Sequence, residues 1–518
     1  MKNILLSAAL IFNISIFAQA PIIQWQKCFG GTNTDSAHSI LQTADGGYIA
    51  MGKSRSTDID AIGNHGQDDL LIIKMDYLGT ILWKKIYGGS GPEMAGKIQQ
   101  TSDGGYIIIG STWSNDNDVS GNHGNLDVWV IKLDTSGNLT WQKCFGGNNQ
   151  DTGNSVVQTS DGGYILSCNT FSNNGQVSGN HGTTDAWIVK LTTSGEIVWQ
   201  KCFGGSNFDS AVSIQNTTDG GYVFIGNSSS NNGDVSGTHS TTTTDYWVAK
   251  ISAIGVLQWQ KALGGTSDEV ATCIRQTSDG GYIISGRTAS TNGDVTGFHG
   301  WNDYWIVKIN STGTLVWQKT FGGTQEEVAW DVIQTADGGY IVTGYAGSPS
   351  GDGDVLFNHS TSIPTLDIWI LRLDATGTIL WQKSLGSTGY QESFAIQQTA
   401  DSGFVVAGGT GGSSNGDVTG FLGGNLDFWI VKLGDSALSN NEFDMQKVTI
   451  YPNPVSSTLS ISGNIDLQNV NIFDLQGRLV KSIAHDFNQI DVADLQNGSY
   501  ILQYVTASQT NTIKFIKI

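Results

Sequence analysis

Six of the eight histidines recur at near-constant spacing: His65, His123, His181, His239, His299 and His359. A set of acids keeps the same period: Asp35, Glu93, Asp151, Asp209, Glu269 and Glu327, with Glu392 as the seventh after a one-residue slip. Imidazole and carboxylate together are a zinc-type donor set, so metal or ligand binding is the first chemistry they suggest. A structural role competes with it. A residue repeated once per unit is usually a fixture, the acid accepting backbone N–H groups at a strand start and the histidine tying down its loop. No His-x-x-x-His pair stands within one loop, and equivalent loops of neighbouring units lie too far apart for one tetrahedral site. The same loops carry Asn115-Asp116-Asn117-Asp118 and Asp352-Gly353-Asp354. Hard oxygens at alternate positions are calcium-type donors, so Asp116, Asp118, Asp352 and Asp354 are the candidate ligands and calcium the one cofactor suggested. The bidentate glutamate and spacing of an EF-hand are missing, and turn formation accounts for these clusters equally well.

A single ligand site needs departures from the period. Trp113, Trp301 and Trp330 are the tryptophans outside the two periodic positions, and Trp113 and Trp301 fall in the long loops with Phe171, Phe298, Phe357 and Phe421. Exposed aromatic rings can stack on a sugar or on a protein partner; loop anchoring is the plainer role. Enzyme signals are weak. Thr101-Ser102-Asp103-Gly104-Gly105 partly resembles the Asp-box turn of sialidases but lacks the later aromatic. The arginines Arg55, Arg275, Arg287 and Arg372 come from scattered repeats, so no cluster for a substrate carboxylate is legible. A glycosidase needs two convergent carboxylates, and no spacing pairs any two. A Cys-x-x-Cys motif is absent.

The elements that must position these residues follow from a second period. Trp25, Trp83, Trp141, Trp199, Trp259, Trp317 and Trp381 are separated by 58, 58, 58, 60, 58 and 64 residues, six of them in Trp-Gln-Lys and Trp83 in Trp-Lys-Lys. Residues 21–433 are therefore one supersecondary unit used seven times. Each unit contains four short runs rich in β-branched and aromatic residues, bounded by Gly, Asp and Asn, with a tight Asp-Gly-Gly hairpin. The run Asp127 to Leu133 is apolar on both faces, as in a sheet sandwiched between neighbours. Four strands per repeat predict an all-β, seven-bladed propeller, the alternative being an open solenoid. The array begins on an orphan Trp run and ends on Asp427 to Leu433 without one. Residues 22 to 29 are predicted to pair beside residues 427 to 433 and close the ring, removing the exposed edges.

The repeat resembles the bacterial seven-bladed β-propeller family in three stretches: Asp-x-Trp-Ile-Val-Lys-Leu-Asp-x-x-Gly, Trp-Gln-Lys-x-Phe-Gly-Gly and Gln-Thr-x-Asp-Gly-Gly-Tyr. The resemblance implies a fold and no shared catalytic residues. By that analogy the Gln-Thr run is the innermost strand and the Trp-Gln-Lys run the outermost. The net charge of −20 argues against nucleic acid and anionic membrane surfaces. Lys2, an apolar stretch from Ile4 to Phe17 and Ala18-Gln19-Ala20 read as a signal peptide over residues 1–20, cleaved near Ala20. No other segment is long and apolar enough for a transmembrane helix. Five cysteines, three at one repeat position on different blades, are expected to be buried thiols without disulfides.

Composition changes after Leu433. Residues 434–447 form a polar linker, and residues 448–518 lose the repeat and read as a small β-sandwich. This tail resembles the type A C-terminal sorting domain of the type IX secretion system of Bacteroidetes. The likeness rests on Tyr451-Pro452-Asn453-Pro454, Phe473-Asp474-x-x-Gly477-Arg478-x-Val480, Asn497-Gly498-x-Tyr500 and the end from Lys514 to Lys517. It implies export across the outer membrane by that machinery, as a partner, and a secreted or outer-membrane-surface location. The expected function is a propeller that binds an extracellular glycan or protein. The alternatives are a polysaccharide-acting hydrolase or lyase with its site on the loop face, and a purely structural surface component.

Overall fold

The computed structural model describes residues 19–359, 365–434, 449–462, 467–474, 478–483, 487, 489–506 and 510–518. Most of the expected signal peptide, the linker beyond Gly434, and Gly477 of the tail lie outside these residues. The chain divides into two compact units, Met1–Ser436 and Ala437–Ile518.

The first unit is seven four-stranded antiparallel sheets. The first blade is Asp35–Gln42, Tyr48–Ser54, Asp69–Met75 and Ile81–Tyr87 from the axis outward, and the next five blades repeat that order. In the seventh, Gln391–Gln398, Phe404–Thr410 and Asp427–Gly434 take their outer strand from the start of the chain. Ile22–Phe29 pairs antiparallel with Asp427–Gly434, Phe29 opposite Phe428 and Cys28 opposite Trp429. The seventh sheet then packs directly on the first: the Ala400 amide donates to Gln42 Oε1 at 2.8 Å, the same contact that Ser102 makes with Gln158 between the second and third blades. Innermost and outermost strands are thus as the family resemblance implies.

Two tryptophan sets do different work. Those of the outer strands sit between blades, each edge-on or tilted against the aromatic that opens the second strand of the next blade, from Trp25–Tyr48 at 5.5 Å to Trp199–Tyr222 at 6.4 Å. Those of the third strands, Trp129, Trp187, Trp247, Trp305, Trp369 and Trp429, are fully buried, and truncating a side chain buried to this extent costs about 3–5 kcal/mol. A buried indole N–H needs an acceptor. The glutamine of Trp-Gln-Lys supplies it, as in Trp129 Nε1 to Gln142 Oε1 at 2.8 Å. The first blade has Leu71 in place of that indole, so its glutamine is dispensable. Lys84 stands there instead and pairs with Asp60 at 2.9 Å. The lone Trp-Lys-Lys motif is explained by the missing partner.

At the opposite rim, each hairpin, Asp-Gly-Gly in six blades and Asp401-Ser402-Gly403 in the seventh, is locked by a cation from the third strand. Lys132 Nζ reaches Asp103 Oδ2 at 2.9 Å, five more blades repeat it with lysine, and the sixth uses Arg372 on Asp337. All five cysteines are free. Four are buried as expected, whereas Cys28, at the same outer-strand position as the buried Cys144 and Cys202, is half-buried.

In the second unit, strands Leu467–Asp474, Leu479–Ile483, Gly498–Thr506 and Thr510–Lys517 form one sheet, and Thr449–Tyr451, Thr458–Ser462 and Ile490–Asp491 a second. Val455, Leu459, Ile472, Leu502 and Phe515 lie in the core between them.

Candidate ligand site on the ring axis

The periodic histidines and acids meet at the junctions between blades. Each histidine Nδ1 contacts the aspartate that begins its own third strand, at 3.1 Å for His65–Asp69 and 2.7 Å for His123–Asp127. That aspartate lies beside the acid opening the inner strand of the next blade. Asp127 and Asp151 both abut Gly146, where a Cβ would collide with the pair, so Phe-Gly-Gly leaves the space the two carboxyls occupy. The inner acid accepts loop N–H groups, as Asp151 does from Gly147 at 2.8 Å. Burial pushes Asp127, Asp151 and Glu93 up from the usual carboxylate range, against the hydrogen bonds each accepts. These are interblade clamps. Among the described residues, no group of three or more His, Cys, Asp and Glu side chains is placed to hold a metal.

Two junctions break the pattern. In the seventh blade the clamp residue is Gln391, buried and donating to Ser387 Oγ at 2.7 Å. Glu392, the residue expected there, is one position on and bonded to the Tyr390 hydroxyl instead. Alternation along a strand makes a one-residue slip a change of face. At the seam between the seventh and first blades, Leu422 stands where the other loops have histidine. Asp427, facing Asp35 without an imidazole, is pushed up to about 7, first by burial and then by the Asp35 charge, against the hydrogen bond from the Leu422 amide.

The calcium candidates are engaged in loop hydrogen bonds. Asp116 accepts from the Ser90 amide at 2.8 Å and Asp118 from Gly88 at 3.3 Å. Asp352 accepts from the Thr324 amide at 2.9 Å and Asp354 from Gly322 at 3.3 Å. Trp113, 37% exposed, follows the second strand of the second blade on the loop face, and Trp301, 66% exposed, precedes the third strand of the fifth. Trp330 lies elsewhere, on the inner strand of the sixth blade. The three come from different blades, and only Trp330 faces the axis.

Trp330 belongs to a ring of positions that the repeat hides. In six blades the inner strand carries a β-bulge, which skips His38, Asn154, Thr272, Trp330 and Phe394 in the pairing, and Gly96 with Lys97 in the second blade. In the fourth, Val212 precedes the strand at the same point. A bulge leaves its extra residue unpaired and re-aims its side chain. These seven residues line a cavity of about 270 Å³ on the axis, nearer the loop face. Its wall is asymmetric. Phe394 stacks on His38 with centroids 4.5 Å apart and planes within 3°, and Trp330 packs on Phe394 at 5.1 Å. Opposite stand Gly96, Asn154, Val212 and Thr272. Burial first, then the charges of Lys53 and Lys97, pull His38 down to about 3, so its ring is neutral. His38 Nε2 and Trp330 Nε1 are buried without a hydrogen-bond partner. Alignment of the seven repeats on the clamp residue brings these positions into register, each three beyond it, with a different residue type in every blade.

The rim formed by the loop-side strand ends of the fifth to seventh blades is polar. Arg287 Nη1 is 3.8 Å from Glu326, and the Tyr390 hydroxyl donates to Glu392 at 2.8 Å. Burial raises the Glu392 carboxyl, against the Tyr390 hydrogen bond and the Lys53 charge. The Tyr345 hydroxyl is raised by burial, then by Glu326 and Glu392, which places it among both carboxylates.

In the tail, Arg478 Nε pairs with Asp474 at 2.7 Å, holding the hairpin ends together. Asn453 accepts from the Ile516 amide at 2.9 Å, and its side-chain amide donates to the Lys514 carbonyl at 3.3 Å. This ties Tyr451-Pro452-Asn453-Pro454 to the final strand, on which the Lys514 side chain is exposed. Tyr500, paired opposite Phe515 two residues after Gly498, bonds the Gln496 carbonyl at 2.8 Å.

The class defined by this architecture is a seven-bladed β-propeller with a separate all-β C-terminal domain. Residues 449–518 match the family described as the secretion system C-terminal sorting domain. The chain thus carries a type IX sorting domain, which directs export to the cell surface or beyond and implies interaction with that machinery. No helix among the described residues is long and apolar enough to cross a membrane. The chain is 25% identical to the regulatory protein FlaEY of Caulobacter vibrioides over 176 residues, 32% of this chain and 18% of that protein. Among solved structures, a protein of unknown function from Dyadobacter fermentans aligns over 65% of this chain and 93% of its own, at 11% identity and a TM-score of 0.39. YCF48 bound to a D1 peptide aligns over 80% and 99%, at 9% and 0.39. Puromycin hydrolase aligns over 94% and 62%, at 10% and 0.44.

Proposed function

We propose that the exported ring is a recognition module for an extracellular glycan, whose terminal sugar enters the axial cavity from the loop face. The observation that carries this reading is the asymmetric bulge ring, with Trp330, Phe394 and His38 forming one continuous aromatic wall opposite small residues. Binding sites combine apolar and aromatic walls with a few polar groups, and a sugar presents an apolar face to a ring and hydroxyls to Asn154, Thr272 and the unpartnered nitrogens. Trp113, exposed at the loop face, is the residue offered for contact with the chain of a longer glycan. Trp330→Ala is expected to weaken glycan-array and calorimetric binding about tenfold or more, a loss of about 1.4 kcal/mol or above. Unchanged binding by that variant would remove the axial cavity from consideration.

A second reading, glycan cleavage, is favoured by the rim. Glu326 beside Arg287 and Glu392 held up by burial are two carboxyls in unlike environments, the pattern that separates a general base or nucleophile from a general acid. If the chain depolymerises a polysaccharide, Glu392→Gln is expected to lower the rate by about 100-fold or more, with binding retained. A depolymerisation screen that stays silent across acidic and neutral polysaccharides would eliminate this reading.

A further inference from the structure

Below the aromatic wall the channel widens into a second chamber of about 510 Å³, lined by all seven inner strands and sharing Lys97 and Thr272 with the first. Its charge is opposite to that of the whole chain. Lys97 and Arg275 face Asp331 alone among ionisable lining acids and bases, within a protein of net charge −20. Asp331 is already engaged: its Oδ1 accepts from Cys273 Sγ at 3.1 Å and the Val332 amide at 3.1 Å, and its Oδ2 from the Ile396 amide at 3.2 Å. Its contact with Arg275 is long, 3.4 Å. Arg275 Nε is buried without a partner. Lys97, half-buried, makes no hydrogen bond or ion pair among the described residues. The flanking amides point the same way. Gln99 and Gln397 turn their Oε1 atoms to the amides of Gln158 and Gln42, which leaves their NH₂ groups as donors. A narrow, low-dielectric channel focuses such a field, and charge-assisted bonds to an oxyanion are about twice as strong as neutral ones.

We infer that this chamber is an oxyanion site, and that the glycan bound is acidic, its carboxylate or sulfate passing the aromatic wall to Lys97 and Arg275. The inference rests on the glycan reading above and specifies its ligand. Lys97 is the residue to change, because Lys97→Met keeps the aliphatic stem and breaks no ion pair, whereas Arg275→Met strands Asp331 and serves only as a second variant if it folds. The purified chain is titrated calorimetrically with glucuronate, glucose 6-sulfate, glucose and inorganic sulfate, with thermal melts as the folding control. Glucuronate or the sulfated sugar is expected to bind at least tenfold more tightly than glucose, with that preference erased by Lys97→Met and weakened at high salt. Equal binding of glucose and the acidic sugars, or an unchanged preference in Lys97→Met, overturns the oxyanion site and leaves the glycan module standing. Sulfate binding that needs Lys97, without binding of any sugar, keeps the oxyanion site and overturns the glycan reading. Silence from all four probes overturns both.

Discussion

Asp427→Asn is expected to raise the melting temperature by several degrees at pH 8 and to change it little at pH 4. Six blade junctions hold their third-strand aspartate with a histidine, and the seam holds its own with Leu422. The Asp427 carboxyl, pushed up to about 7 mainly by burial and secondarily by Asp35, keeps a proton in the folded ring that the unfolded chain releases near pH 4. The folded state therefore binds more protons between those values, and stability falls as the pH rises from about 4 through about 7. Asparagine has no proton to lose and can still accept the Leu422 amide, so the variant should escape this decline, with a gain on the order of 2 kcal/mol above pH 7. The opposite rim acts in the other direction. Burial acts upward on Asp103, but the hydrogen bonds from Thr101, Lys132 and Gly105 and the Lys132 charge outweigh it and hold the carboxyl at about 2. Asp45, Asp161, Asp219 and Asp279 are held at about 2 by equivalent partners. Stability from these pairs is complete above the unfolded carboxylate range and lost as the pH falls toward 2. A melting-temperature profile should accordingly peak in mildly acidic buffer, and Asp427→Asn should flatten only its alkaline limb. An unchanged alkaline limb would mean that Asp427 does not keep its proton in the folded ring.

Deleting residues 22–29 is expected to abolish the monomeric ring. That strand covers Asp427–Gly434, buried along its whole length, and supplies Gln26 to the buried Trp429 indole at 2.7 Å and Trp25 to Tyr48 of the first blade at 5.5 Å. Its removal exposes a row of unpaired backbone groups beside Phe428 and Trp429, an edge that recruits other chains. Size-exclusion chromatography should show oligomers or aggregate, and a synthetic peptide of residues 21–29 added during refolding should restore the monomer. A truncated chain that stays monomeric with an unchanged melt would show that the seam does not hold the ring. Trp141→Ala, which loses the equivalent contact with Tyr164 within a covalently continuous junction, should destabilise without opening the ring.

Period alone made much of this fold legible. Seven Trp runs, a both-face apolar third strand and an orphan strand at each end pointed to blades and to the pairing of Ile22–Phe29 with Asp427–Gly434, while the inner-to-outer strand order came from the family resemblance. The tail motif was equally readable, because its likeness lies in short contiguous stretches. The clamp histidines were visible as a pattern. Their partner was not: it is the third-strand aspartate rather than the periodic acid, a contact across a loop that spacing does not reveal. The choice of Glu392 over Gln391 failed for the same reason. Sequence favoured the charged residue, whereas strand alternation decided which side chain turns into the clamp and which to the opposite face of the sheet.

The sequence by itself determined the architecture, since each repeat must bury the same faces and repetition writes that demand seven times. It also fixed the export route, through a domain whose motif is local. Only the tertiary structure decided where a ligand could go. A site on a symmetry axis is built from one residue per blade, so its members stand 58–64 positions apart in sequence and differ in type. His38, Gly96, Asn154, Val212, Thr272, Trp330 and Phe394 form one ring because a bulge turns six of them inward and Val212 falls at the same point ahead of its strand, and because closure brings the sixth, seventh and first blades side by side.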